Sequence, residues 1–112
     1  MFNSIQEIDS PELSRWVNEE AHPLRVIDVR EMREIAQGTM PGAEPLPLAT
    51  LPLRLNDFDV DEKLVIICRS GARSAQACMF LQQQGFTNVF NLRGGIIGWA
   101  HNSLPIVRPA LV

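Results

Sequence analysis

Leu64-Val65-Ile66-Ile67-Cys68-Arg69-Ser70-Gly71-Ala72-Arg73-Ser74 constrains the fold of this chain more than any other stretch. Four consecutive aliphatic residues, three of them β-branched, predict a strand buried on both faces, as in the middle of a parallel sheet. The run ends on a cysteine. A short polar loop containing Gly71 follows, then a helical pattern from Ser74 to Gln84. A thiol is thereby set at the carboxyl end of a strand and beneath the amino end of a helix. Open α/β sheets place their ligand crevices there.

The chemistry of such a loop follows from its parts. A helix amino terminus carries unpaired N–H groups and about half a positive charge. Anions bind there, and a thiol there ionises more easily than its free pKa of about 8.5 suggests. Arg69 and Arg73 add guanidinium charges on either side of the loop. Gly71 permits backbone angles that turn successive N–H groups inward. The expected product is a thiolate nucleophile in a cup sized for a small oxyanion. The plainer alternative is a buried free cysteine with arginines in solvent. It does not account for Arg, Ser, Gly, Arg and Ser crowded into the next six places.

Cys68 to Ser74 resembles the active-site loop of rhodanese-like sulfurtransferases, and further segments carry the same resemblance. Val26-Ile27-Asp28-Val29-Arg30-Glu31 is similar to that family's strand-end segment. Gly38-Thr39-Met40-Pro41-Gly42-Ala43 is similar to its G-H-I-P-G-A turn, with Thr39 where many members carry His. Asn91-Leu92-Arg93-Gly94-Gly95-Ile96, followed by Trp99, is similar to its closing motif. The four segments fall in family order and span nearly the whole chain.

The resemblance implies a ping-pong reaction. Cys68 would attack the outer sulfur of a donor such as thiosulfate, carry a persulfide, and pass the sulfur to cyanide, a thiol or a protein. The loop from Arg69 through Ser70, Gly71, Ala72 and Arg73 to Ser74 would bind the substrate, its N–H groups facing the terminal sulfur and its arginines the sulfonate. Asp28 and Arg30 would brace the surrounding turns. Two other functions fit a related fold. Cysteine-dependent phosphatases and arsenate reductases place an Arg after Cys and five residues, but here Ser74 holds that position and Arg73 falls one place short. The expectation is negligible phosphatase activity. A noncatalytic binding module is the other alternative, and such relatives usually lose the cysteine that this chain keeps.

Composition bounds these readings. A chain of 112 residues, 46% hydrophobic and 21% charged, is expected to form one domain over 1–112 with a single core. A net charge of −3 argues against nucleic acid or an anionic membrane as partner. The expected partners are a small anionic sulfur donor and its acceptor, with the chain a monomer or weak homodimer. Two cysteines, Cys68 and Cys78, make no disulfide framework. His22 and His101 lie far from both in sequence, so neither a metal site nor a cofactor is expected. The acidic loop 56–63 lacks the Gly and closing Glu of a calcium loop. No apolar leader and no apolar run near 18 residues is seen, and a reducing cytoplasm is the expected compartment.

Along the chain, Ile5 and Ile8 suggest an edge strand. Ser10-Pro11-Glu12 reads as a helix start with Ser10 as cap. Leu13, Trp16 and Val17 line one helical face, which fades near Glu20 before a solvated His22. A strand over 24–29 precedes a short helix over 31–37 that ends at Gly38 in a left-handed cap. The segment 39–52 holds four of the eight prolines, with a short strand near 43–46 and a helical turn or two over 50–55. Ala75, Cys78 and Leu81 share a helix face, which makes Cys78 a buried structural thiol. A last strand over 86–92 leads into a helix opened by Gly94-Gly95, with Trp99 as a core anchor. The apolar tail 104–112 can lie along the body or meet a partner. Strands alternating with helices predict an α/β, rhodanese-like fold: a central parallel sheet of about five strands with helices on both faces.

Overall fold

The computed structural model describes residues 4–19 and 23–109. In chain order the elements are β1 (Gln6–Ile8), α1 (Ser10–Val17), β2 (Arg25–Asp28), α2 (Met32–Gln37), β3 (Glu44–Pro45), β4 (Leu64–Ile67), α3 (Ala72–Gln83), β5 (Val89–Leu92) and α4 (Gly95–His101). The five strands form one parallel sheet in the order β1-β5-β4-β2-β3. The aliphatic run is thus the middle strand. Val65 lies between Val26 of β2 and Phe90 of β5.

Alternation across β4 splits the core in two. Leu64, Ile66 and Cys68 face α3, where they meet Ala77, Cys78 and Leu81 together with Ile27, Val29 and Val89. Val65 and Ile67 face the other way, onto Leu13 of α1 and Trp99 of α4 with Ile8, Val26, Met40 and Leu92. Helices therefore cover both faces of the sheet. All four β4 side chains are 0% exposed. Burying each contributes about 1.5–3 kcal/mol, which leaves the backbone just beyond them little freedom to move.

Several boundaries differ from the sequence reading. Asp9, not Ser10, caps α1: its carboxylate accepts from the Glu12 N–H at 3.0 Å, and Ser10 is the first helical residue. Both residue types cap well, and the choice falls to the one whose extended backbone leaves β1. α3 begins at Ala72, two residues earlier than the apolar pattern suggests, because Gly71 at φ 108° makes the turn. The segment 50–57 makes two 3-10 turns, Leu51–Leu53, which contains Pro52, and Leu55–Asp57. Gly38 follows α2 at φ 151°, ψ 141°, outside the left-handed helical region. It is needed for want of a side chain, since a Cβ there would stand 2.8 Å from Ile106.

The tail lies along the body as far as it is described. Thr39 and Val107 exchange both backbone hydrogen bonds at 2.8 Å as an isolated antiparallel bridge, and the Trp99 indole N–H donates to the Pro105 carbonyl at 2.7 Å. Residues 110–112, the start of the amino-terminal stretch (1–3) and His22 lie outside the described residues. Trp16 packs edge-on against Phe90, with the Lys63 ammonium 3.7 Å above its ring. Among the described residues, no helix is long and apolar enough to cross a membrane.

Candidate active site

Cys68 is the first residue past β4 and is 1% exposed. The loop wraps its sulfur. The Gly71 N–H donates to Sγ at 3.1 Å and the Ser74 N–H at 3.4 Å, while the Ser74 hydroxyl lies 3.2 Å away. Gly71 directs its N–H inward because positive φ at that position reverses the chain, a backbone conformation that any side chain would strain. Burial pushes the Cys68 thiol up. Against it act the Ser74 hydroxyl and N–H and the N–H groups of Gly71 and Ser70, and together they hold the thiol below its ordinary value. The main acidifying groups are thus dipoles of the loop, and the Arg73 charge interacts with the sulfur as a smaller contribution.

A second helix terminus fixes the loop from behind. The N–H groups of Ile96 and Ile97 in α4 donate to the carbonyls of Cys68 and Arg69 at 2.9 and 3.1 Å. This approach requires Gly95. A Cβ there would lie 2.6 Å from the Cys68 carbonyl oxygen and closer still to that of Arg69, both backbone atoms. Gly95→Ala should therefore displace the loop. The expected loss is about 2–3 kcal/mol of stability from overpacking, read by urea denaturation, with Cys68 less acidic by alkylation against pH. A variant as stable and as reactive as the parent would show that the loop yields freely.

The two loop arginines part company. Arg69 is exposed, and among the described residues its guanidinium makes no ion pair. Arg73 makes a bidentate pair with Glu34 of α2 at 2.7 and 2.9 Å. The Arg73 guanidinium holds the Glu34 carboxyl down to about 2, helped by the Glu31 N–H. Much of the Arg73 charge is therefore already matched. Glu34 escaped the sequence reading, although Glu31-x-x-Glu34 is a capping-box pattern, and the box is formed here.

Asp28 and Arg30 form a buried pair. The Asp28 carboxylate accepts from Arg30 Nε and Nη2 at 3.0 and 2.8 Å, from the Arg30 N–H at 3.1 Å, and from the Thr39 hydroxyl at 2.7 Å. Arg30 also donates to the Gly38 carbonyl at 2.8 Å. The pair thus ties the end of β2 to the turn at 38–39. Among the described residues, Arg30 makes no hydrogen bond to the cysteine loop. Thr39 fills its position by donating to Asp28.

Asn91 and, through it, Glu7 reach the site in roles the sequence reading did not give them. Asn91 of β5 is 1% exposed; its Oδ1 accepts from the Ser74 hydroxyl at 2.5 Å, and its Nδ2 donates to Glu7 Oε2 at 2.9 Å and to the Gly71 carbonyl at 3.2 Å. A polar residue between Phe90 and Leu92 in a strand beside β4 was the available signal. Arg93, exposed, lies 3.7 Å from Glu7. Cys78 is buried and its thiol is pushed up to about 12 by burial, which makes it unreactive; both cysteines are free. A cleft of about 520 Å³ opens beside Arg25, Glu62 and Lys63, at the amino ends of the strands and so opposite Cys68. Among the described residues, no cluster of His, Cys, Asp and Glu is arranged to hold a metal.

Residues 9–102 match the rhodanese-like domain. The chain belongs to the rhodanese-like family. It is 50% identical over 105 residues to a sulfurtransferase of Allochromatium vinosum, covering 94% of this chain and 97% of that one. It is 31% identical over 81 residues to the thiosulfate sulfurtransferase GlpE of Glaesserella parasuis, covering 72% of this chain and 75% of the relative. A crystal structure of a rhodanese-related protein from Thermoplasma volcanium superposes with a TM-score of 0.83 at 30% identity, over 93% of this chain and 99% of that one. The rhodanese-like sheet and helices are thus the fold of this chain. Membership in the rhodanese-like family and the sulfurtransferase relatives together support sulfur transfer as its general activity.

Proposed function

We propose that the chain moves a sulfane sulfur from a small anionic donor such as thiosulfate to a thiophilic acceptor, through a persulfide on Cys68. The observation that carries this reading is the convergence of loop N–H groups on a buried sulfur whose thiol lies below its ordinary value. The Cys68 thiolate attacks the donor's outer sulfur. A new S–S bond forms, the bond between the donor's two sulfurs breaks, and its electron pair leaves with sulfite. An acceptor — cyanide, a thiol or a protein thiol — then attacks the terminal sulfur, and the pair of the broken bond returns to Cys68. The balance needs no cofactor. This is covalent catalysis by an activated nucleophile with preorganised donors around the developing charge.

In this scheme Cys68 is the nucleophile, and the loop from Arg69 to Ser74 with Ser70, Gly71, Ala72 and Arg73 forms the cup. Asp28 and Arg30 hold the neighbouring turn. The relative named for thiosulfate supports that donor. A low-pKa thiol without a disulfide partner suits a reducing compartment such as the cytoplasm. The deciding experiment is whole-protein mass spectrometry after thiosulfate exposure. One added sulfur, lost on treatment with cyanide and confined to Cys68, is expected; no adduct would sink the proposal.

Two further outcomes follow. The rate of persulfide formation should rise with pH and level off below the ordinary thiol range of about 8.5, because only the thiolate attacks; a rate still climbing above it would contradict a lowered Cys68. Arg69→Ala should raise KM for thiosulfate severalfold, and Arg73→Ala less, since Glu34 already neutralises Arg73. Steady-state kinetics at fixed ionic strength separate the two, and the reverse ranking would place the donor on the Arg73 side.

A further inference from the structure

We propose that Asn91 is a positioning residue that competes with Cys68 for the single hydroxyl hydrogen of Ser74. The inference rests on Cys68 being the nucleophile, and its ground is a count of hydrogens. Ser74 Oγ has one hydrogen and two neighbours that can accept it, Cys68 Sγ at 3.2 Å and Asn91 Oδ1 at 2.5 Å. The amide cannot be turned round to relieve the conflict. Its NH2 faces two groups that only accept, the Glu7 carboxylate at 2.9 Å and the Gly71 carbonyl at 3.2 Å. Reversed, its oxygen would oppose both. The two oxygens 2.5 Å apart therefore share the Ser74 hydrogen. In that arrangement only the thiol's own hydrogen can bridge Sγ and Oγ.

Ionising Cys68 changes the arrangement. The thiolate has no hydrogen to give, so the Ser74 hydroxyl must swing onto the sulfur, and the Ser74–Asn91 bond breaks. The sulfur keeps the N–H groups of Gly71 and Ser74 throughout. Asn91, locked by Glu7 from the edge strand β1, thus holds the pKa of Cys68 above what the loop alone would set. The exchange recurs in each half-reaction. The inner sulfur of a persulfide is neutral and releases the hydroxyl to Asn91; the acceptor's attack makes that sulfur a leaving thiolate and draws the hydroxyl back. A thiolate of extreme acidity is a weaker nucleophile, so restraint of this kind favours attack.

The test is the pH dependence of Cys68 alkylation by iodoacetamide, followed by intact mass. It reads acidity without requiring sulfur transfer, and thiocyanate formation by the same proteins reports separately on the nucleophile reading. Asn91→Leu should lower the midpoint by about one pH unit, the worth of one hydrogen bond to a charged sulfur. Adding Ser74→Ala should cancel the drop, because no hydroxyl remains to donate. Glu7→Ala, at an exposed position, should lower the midpoint by less, since the freed amide can turn its NH2 toward Ser74; it carries the test should Asn91→Leu fail to fold by circular dichroism. A midpoint unchanged or raised in these single variants, or a drop that survives loss of the Ser74 hydroxyl, overturns the proposal.

Discussion

Cys68→Ser should abolish thiocyanate formation from thiosulfate and cyanide, by on the order of 10³-fold or more, and leave no sulfur adduct by mass. The substitution changes one buried atom, so the helices and sheet should persist. Serine oxygen in this cup receives the same N–H groups but does not ionise near neutral pH, and an oxygen–sulfur bond is no carrier of sulfane sulfur. The two proteins should also differ in how stability depends on pH. The folded thiol is held below its unfolded value of about 8.5, so ionised Cys68 contributes stability that is fully present above that value. The contribution is lost as pH falls through the folded value, and the serine variant lacks this slope. Near parental turnover in Cys68→Ser would remove the nucleophile from the scheme altogether.

How much of this could be read from residues alone depends on the range of each interaction. The aliphatic block at 64–67, the cysteine at its end and the glycine in the loop are local features. They led directly to a central strand and a thiol set beneath a helix amino end, as found. The arginines were legible as charges but not as pairs. Arg73 meets Glu34 from 39 positions away, and that contact depends on the fold bringing α2 near the start of α3. Asn91 and Glu7 are 84 positions apart and meet only because β1 and β5 are neighbours, an order no local pattern encodes. The cap of α1 failed for a different reason. Asp9 and Ser10 are equally good caps, and the end of β1 chose between them. Where prolines dominate, over 39–57, propensity excluded long elements but could not tell helix from 3-10 turn.

Asp28→Ala should destabilise the fold by about 3–5 kcal/mol, the cost of leaving a buried guanidinium unpaired. Arg30 is 6% exposed and Asp28 0%, and the carboxylate also accepts from the Thr39 hydroxyl, so four donors lose this partner at once. Water reaches this place poorly, wedged between the end of β2 and the 38–39 turn that the tail covers through Val107. The loss would be a large share of the 5–15 kcal/mol typical of a domain. Asp28→Leu combined with Arg30→Met removes the charge along with its partner and should lose markedly less than Asp28→Ala, because no orphaned ion remains. Urea denaturation of the three proteins makes the comparison. A loss under about 1 kcal/mol in Asp28→Ala would mean that Arg30 finds solvent, and the pair would then be ornament rather than brace. Activity per folded molecule should change little in the double variant. The Val29 N–H reaches the Ile67 carbonyl at 3.0 Å, so the sheet itself seats the residue before Cys68 without help from the ion pair.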